Sequence, residues 1–224
     1  RFFIKKMTGN WFKWLSADDL LKENAIEILI EESSKITNAN SCIFYSNYDV
    51  IDISGKIIDQ FTEPNYNKLS NFDRNVILLD NFYGNGTTSL IHKSIFEKYG
   101  LFDEKIGFQE DYEFWLRCCL LHDCRLYLIS QNLTQYRIHE GQLTHTKFDE
   151  SLSHADYVRK YVLDALSENN KTKYKIALKK YHKQKPIKIK IRRRIRDVLL
   201  SILPKSVSDK IIHIYMEQKK SKNF

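Results

Sequence analysis

The sequence predicts an α/β domain followed by a helical, basic C-terminal part. Three observations predict it. Short apolar runs with strand character alternate with stretches of helical periodicity. Two pairs of adjacent carboxylates, Asp18-Asp19 and Glu110-Asp111, sit where such segments meet. The chain has 224 residues, 42% hydrophobic and 13% aromatic, which suits a packed core rather than a disordered polymer.

The elements follow in order. Trp11, Phe12, Trp14 and Leu15 read as a short buried strand that runs directly into Asp18 and Asp19. Leu20-Leu21, Ala25-Ile26 and Leu29-Ile30 recur at helical spacing and predict an amphipathic helix from Leu20 to about Lys35. Cys42–Ser46 reads as a buried strand. Asp49–Ile53 and Ile57-Ile58, joined through Ser54-Gly55-Lys56, read as a hairpin. Asn65–Asp73 is polar and loop-like, and Arg74–Leu79 predicts a short helix. Gly84-Asn85-Gly86 leads into a strand over Thr87–Ile91. Ser94 is placed to cap a helix that Gly100 closes. Glu110 and Asp111 open an apolar helix to about Leu121, followed by strands over Arg125–Ser130 and Leu133–Ile138. From Ser151 to His182 the pattern is helical, broken near Asn169-Asn170.

The acidic pairs admit two chemistries each. In open α/β sheets, ligands bind outside the carboxyl ends of the strands. Two carboxylates there cost desolvation and repulsion unless a cation neutralises them, yet either one also serves as the cap of the next helix. Glu110 and Asp111 are favoured at a helix N-terminus by its dipole, and one of them beside the Gly107-Phe108 loop suits a general base over a substrate hydroxyl. The Gly84–Thr88 segment is either an ordinary turn or a backbone kept bare for close approach of a ligand. His139, after the strand that ends Tyr136-Arg137-Ile138, is either structural or a metal ligand.

Composition narrows the function classes. No apolar run approaches the roughly 20 residues that span a bilayer. Cys42, Cys118, Cys119 and Cys124 form no C-x-x-C pair, which fits buried free thiols in a reducing, cytoplasmic compartment better than zinc. Residues 184–224 hold 12 Lys and Arg against 3 Asp and Glu, so the net charge of +8 belongs to this tail and the rest is nearly neutral. A core of that balance argues against a nucleic-acid partner. Within the tail, Ile187, Ile191, Ile195, Val198 and Ile202 form one helical stripe flanked by Lys190, Arg192, Arg193, Arg194 and Arg196. This pattern suits an interfacial helix on an anionic membrane surface; a helix packed on the domain, or an RNA contact, is the alternative.

Taken in order, four segments resemble a family 2 glycosyltransferase of the GT-A fold over roughly residues 1 to 145. They are Gly9–Asp19, Asn85–Lys93 with Phe96–Glu104, Gly107–Arg117, and Tyr136–His139. The resemblance implies a GT-A-like, Rossmann-like mixed sheet flanked by helices, incomplete at the N-terminus. It divides the chain into a metal and acceptor part over 1–150, a helical extension over 151–183 and a basic amphipathic tail over 184–224.

The same resemblance implies the chemistry. Asp18, Asp19 and His139 hold a divalent cation, Mn2+ or Mg2+, on the diphosphate of a nucleotide sugar, most simply a UDP sugar. Asp111, with Glu110 as neighbour or second candidate, deprotonates the acceptor hydroxyl. Gly86, Thr87, Thr88, Phe108, Gln109 and Arg137 border the substrates. The reaction implied is an inverting transfer to a glycan or lipid-linked acceptor in cell-surface polysaccharide assembly, on the inner face of the membrane. Two departures accompany it. Ser16 stands at the first position of the D-x-D segment. The family's first βαβ half, which carries the base and ribose contacts, finds no match, and the chain begins at Arg1 rather than Met. The expectation is therefore part of a longer enzyme with an open sheet edge, and the alternative is a non-catalytic relative that binds a sugar or a membrane.

Overall fold

The computed structural model describes residues 2–107, 109–139, 142 and 148–185. The chain divides into two units, Arg1–Leu178 and Lys179–Phe224. In the second unit, the Lys185 ammonium lies 4.8 Å from the centre of the Tyr181 ring. The tail residues Lys190, Arg192, Arg193, Arg194 and Arg196 lie outside the described residues, as does Phe108.

The first unit is a curled mixed sheet with helices packed on it. Its strands are β1 (Trp11–Lys13), β2 (Leu20–Leu21), β3 (Cys42–Ile51), β4 (Ile57–Phe61), β5 (Leu90–His92) and β6 (Arg125–Arg137). Its helices are α1 (Phe2–Lys6), α2 (Ala25–Ser34), α3 (Asn71–Asp80), α4 (Lys93–Tyr99), α5 (Glu110–His122), α6 (Phe148–Asp164) and, as far as Leu178, α7 (Glu168–Gln184). The strand order is β1-β5-β3-β6-β2, with β4 hairpinned onto β3. Among the described residues, only β3 and β6 pair in parallel, from Cys42 opposite Arg125 to Ile51 opposite Arg137. The hairpin over Ser54-Gly55-Lys56 forms as expected, with Gly55 at φ +88°.

Six local expectations are corrected. Thr87 and Thr88 belong to a 3-10 turn, and the strand after it is Leu90–His92. Cys42–Ser46 and Asp49–Ile53 are not two strands, since β3 runs unbroken from Cys42 to Ile51. Leu20 and Leu21 do not start a helix; they pair with Gln135 and Thr134 of β6, and α2 begins only at Ala25. Long-range pairing overrides the helical spacing there. The two strands expected over Arg125–Ile138 are one, because the polar break at Ser130-Gln131 is absorbed as a bulge. The register passes from Ser46 opposite Ile129 to Asn47 opposite Asn132. The cap of α4 is His92, whose Nδ1 accepts the Ser94 N–H at 3.2 Å. Trp11, Phe12, Trp14 and Leu15 are partly exposed rather than buried, since β1 lies at the edge of the sheet.

The core is built around α5. Tyr112, Phe114, Trp115 and Leu116 are fully buried, each such side chain adding about 1.5–3 kcal/mol. Trp115 Nε1 donates to the Gly84 carbonyl at 2.8 Å, and the Tyr112 hydroxyl donates to the Leu78 carbonyl at 2.9 Å. Phe12, Phe96, Phe102 and Phe114 stack edge to face or tilted beside them. Arg117 pairs with Glu113 at 2.6 Å and donates to the Leu101 and Tyr99 carbonyls, which fixes the loop leading into α5. On the other side of α5, Arg159 of α6 donates Nε to the Tyr112 oxygen at 2.9 Å. The break between α6 and α7 falls at residues 165–167, slightly before the asparagine pair.

Candidate active site

The site is built where parallel strands end. β1 and β3 are each antiparallel to β5, and β6 is parallel to β3, so β1, β3 and β6 share one direction. Their carboxyl ends bring Ser16–Asp19, Ile51–Ile53 and Arg137–His139 to the same side of the sheet. The 3-10 turn Gly86–Thr88, which enters β5, arrives there too. This is the position at which open α/β sheets bind ligands.

Neither Asp18 nor Asp19 caps α2, whose N-cap residue is Asn24. Asp19 is only 4% exposed, and its Oδ1 accepts the Arg137 N–H at 2.8 Å. Its Oδ2 is buried with no hydrogen-bond partner among the described residues. Burial pushes the Asp19 carboxyl above its ordinary range. The Thr87 hydroxyl, the Arg137 N–H and the Lys13 ammonium pull it back, and Asp18 adds to the rise. Asp18 is the outward member. Its Oδ2 lies 3.1 Å from His139 Nε2, with both side chains about a third exposed. Arg137 holds this corner rather than facing outward: its guanidinium donates to the carbonyls of Asp18 (2.8 Å), Asp52 (2.7 Å) and Ile53 (3.0 Å).

Two ligands on neighbouring corners of an octahedral ion lie about 3 Å apart. The Asp18 Oδ2 to His139 Nε2 separation of 3.1 Å has that span, whereas Asp19 turns inward onto the Arg137 N–H. Among the described residues, no three or more His, Cys, Asp or Glu side chains are gathered closely enough to cage a metal. The residues thus fit an ion that completes its shell with water or ligand oxygens, not a structural metal.

The second acidic pair reaches the same place through one turn. Asp111 lies in the first turn of α5, and its Oδ1 accepts the Tyr112 N–H at 2.8 Å. A Cβ added at Gly86 would stand 2.9 Å from Asp111 Oδ2, so glycine there leaves room for this carboxylate rather than for an outside ligand. Burial, with Glu110 beside it, pushes the Asp111 carboxyl up to about 6, against the N–H groups of Tyr112 and Gly86. Next in the turn, Thr87 Oγ1 accepts the Ser16 N–H at 3.1 Å. One three-residue turn therefore touches both acidic clusters. Thr87 and Thr88 are buried, and the Thr88 hydroxyl donates to the Asn85 carbonyl at 2.7 Å, so both serve the turn itself. Gln109, the residue before α5, adopts φ +66°, a left-handed conformation that non-glycine residues seldom hold and that gathers at functional sites.

Two residues escaped the sequence reading. Lys13 Nζ donates to the Trp14 and Thr87 carbonyls, both at 2.6 Å, and burial lowers its pKa to about 7 against the opposing pull of Asp19. A single cation inside the apolar run Trp11–Leu15 was the available signal. Ser16, noted only as a departure from D-x-D, ties this segment to Thr87 through its N–H. A cleft of about 620 Å3 is lined by Phe12, Trp14 and Phe102 and by Lys13, Asp103 and Glu110; of the second acidic pair, Glu110 and not Asp111 faces it.

No family model matches the chain. It is 34% identical over 149 residues to an uncharacterized glycosyltransferase of Rickettsia typhi, covering 66% of this chain and 45% of that protein. It is 32% identical over 154 residues to another from Rickettsia prowazekii, covering 68% of this chain and 47% of that protein. The chain thus spans about half the length of these two relatives. Among solved structures it is similar to Staphylococcus aureus TarS in complex with UDP, at a TM-score of 0.49 and 11% identity, covering 78% of this chain and 47% of that one.

Proposed function

We propose that this chain carries the metal-binding and acceptor side of a nucleotide-sugar-dependent glycosyltransferase of the GT-A type, family 2. The observation that carries the reading is the Gly86–Thr88 turn, which joins the Asp18-Asp19 segment through Thr87 to the Asp111 carboxylate through Gly86. Kinship over two thirds of the chain with proteins named as glycosyltransferases supports it.

In this reading Asp111 is the general base. With its pKa near 6 it is mostly ionised at neutral pH, yet more basic than an ordinary carboxylate, which suits proton removal from an acceptor hydroxyl. The acceptor oxygen bonds to the anomeric carbon as the bond from that carbon to the diphosphate oxygen breaks. The electron pair leaves with the diphosphate, the hydroxyl proton passes to Asp111, and configuration inverts. Asp18 and His139 would hold a Mn2+ or Mg2+ ion, with Asp19 behind them. When bound, that ion supplies Lewis-acid stabilisation of the leaving diphosphate. Arg137 fixes the Asp18–Asp19 backbone, and Lys13 and Ser16 fix the turn against it. The cleft's aromatic faces and carboxylates suit the apolar faces and hydroxyls of an acceptor glycan or of the sugar on a lipid-linked acceptor. Among the described residues, no helix is long and apolar enough to cross a membrane. The basic stripe of residues 184–224 is our candidate for attachment to an anionic inner membrane surface.

Calorimetric titration of the full chain with UDP and Mn2+ tests the proposal. Binding that EDTA removes, and that Asp18→Ala with Asp19→Ala abolishes, is expected. A chain that unfolds cooperatively but shows no metal-dependent UDP binding at millimolar nucleotide overturns the nucleotide-sugar reading for this chain.

A further inference from the structure

A second pocket lies at the opposite end of the parallel strand pair. Asn65, Asn67, Lys68, Arg125 and Tyr127 line a cavity of about 560 Å3. Arg125 opens β6 opposite Cys42, the first residue of β3, whereas Arg137 and Asp19 stand at the far end of the same strands. Nine residue steps along β3, at about 3.3 Å each, put roughly 30 Å between this pocket and the acidic site.

The walls are fixed before any ligand arrives. The Asn67 side chain bridges to β6 like a strand residue, donating Nδ2 to the Leu128 carbonyl at 2.8 Å and accepting the Leu128 N–H at 2.9 Å. Arg125 donates Nη2 to the Asn67 carbonyl at 2.9 Å, and its guanidinium carbon lies 5.6 Å from the centre of the Tyr127 ring.

The charge in this corner is not balanced. Arg125 Nε is buried with no hydrogen-bond partner among the described residues. Arg74, only 3% exposed, donates Nη1 to the same Asn67 carbonyl at 3.2 Å and Nη2 to Asn71 Oδ1. Arg74, Arg125 and Lys68 form no ion pair with a carboxylate among the described residues. Burial, and then repulsion from Arg125, lowers the Arg74 pKa. A half-buried guanidinium beside the buried Arg74, with no carboxylate between them, is costly, and an anion in the pocket offsets that repulsion. The planar guanidinium fork matches the oxygens of a phosphate, and Lys68 adds a point charge at the rim.

We propose that this pocket binds a phosphate monoester. The phosphoryl group sits on the Arg125 guanidinium with Lys68 and the Asn65 amide around it, and Tyr127 forms a wall for the organic part. The proposal stands apart from the transferase reading, because none of its residues belongs to the acidic site.

The test is titration of the full chain with inorganic phosphate in EDTA, followed by calorimetry and by thermal unfolding. Saturable binding that raises Tm is expected. Arg125→Gln and Lys68→Gln each weaken it about tenfold, the typical loss with one charge-assisted hydrogen bond. Asp18→Ala leaves it unchanged. Absence of saturable binding, or undiminished binding in the two variants, overturns the proposal. Should Arg125→Gln fail to unfold cooperatively, the exposed Lys68 decides, and an unaltered affinity in Lys68→Gln refutes it. Malonate binding as tightly as phosphate replaces the phosphate ester with a carboxylate ligand and likewise refutes it.

Discussion

Replacing Asp111 by Asn probes the candidate base without any knowledge of the substrate. The Asp111 carboxyl is raised from an ordinary 3.8 to about 6, chiefly by burial and then by Glu110. The folded state therefore holds this proton more tightly than the unfolded chain. The stability it contributes is present in full below about pH 4, where both states are protonated, and is lost as pH rises through about 6. At about 1.4 kcal/mol per pH unit, the whole loss is about 3 kcal/mol. Asn cannot ionise, so Asp111→Asn lacks this loss. It also gives up a charge-assisted bond from the Tyr112 N–H, a deficit that does not vary once Asp111 is ionised. The quantity to read is thus the change with pH. Urea unfolding of both proteins at pH 4, 6 and 8 should show the variant gaining about 2.5 kcal/mol on the wild type between pH 4 and pH 8. The gain should be centred between pH 4 and pH 6. A difference that stays flat across this range would mean that Asp111 titrates like an exposed carboxylate, and the assignment of a buried, raised base would fall. Under the proposed function, the same titration makes activity rise as pH passes through about 6.

Two further outcomes test the surroundings of this carboxylate. Gly86→Ala places a methyl 2.9 Å from Asp111 Oδ2, so the turn or α5 must shift. A stability loss of about 1–3 kcal/mol by urea unfolding is expected, with Asp111→Ala in the same chain relieving much of it. Lys13, lowered to about 7 by burial, titrates in the opposite sense. The unfolded chain binds its proton more tightly, so wild-type stability should climb from about pH 7 to pH 10, and unfolding of Lys13→Met should lack that climb.

The glycine and the carboxylate also show where sequence reasoning stops. The Gly84–Thr88 segment was legible as a turn with bare backbone, because glycine spacing carries that signal locally. Its neighbour, Asp111, comes from a helix that begins 24 positions later than Gly86, and no local pattern names it. The Asp18-Asp19 pair was legible as two carboxylates after a strand. Their division into an outward Asp18 facing His139 and a buried Asp19 on the Arg137 N–H depends on β6 lying across the sheet. Arg137 illustrates the same limit. Its position beside the site was readable, but its guanidinium is spent on three carbonyls that only the folded hairpin and the Asp18 loop bring to it.

What the sequence by itself determined is what short-range physics encodes. The apolar run into Asp18-Asp19, the Gly55 hairpin, the apolar helix opening at Glu110 and the concentration of basic charge after residue 184 all follow from neighbours in the chain. Tertiary structure decided the rest. Leu20 and Leu21 became strand because Gln135 and Thr134 supplied a ladder, and β6 stayed one strand because a bulge absorbed its polar break. Lys13 became a weakened base because the fold takes its ammonium out of water, against the Thr87 carbonyl from 74 residues away. Hydrogen-bond pairing and desolvation depend on which groups meet in space, and those meetings are set by the sheet as a whole rather than by any stretch of it.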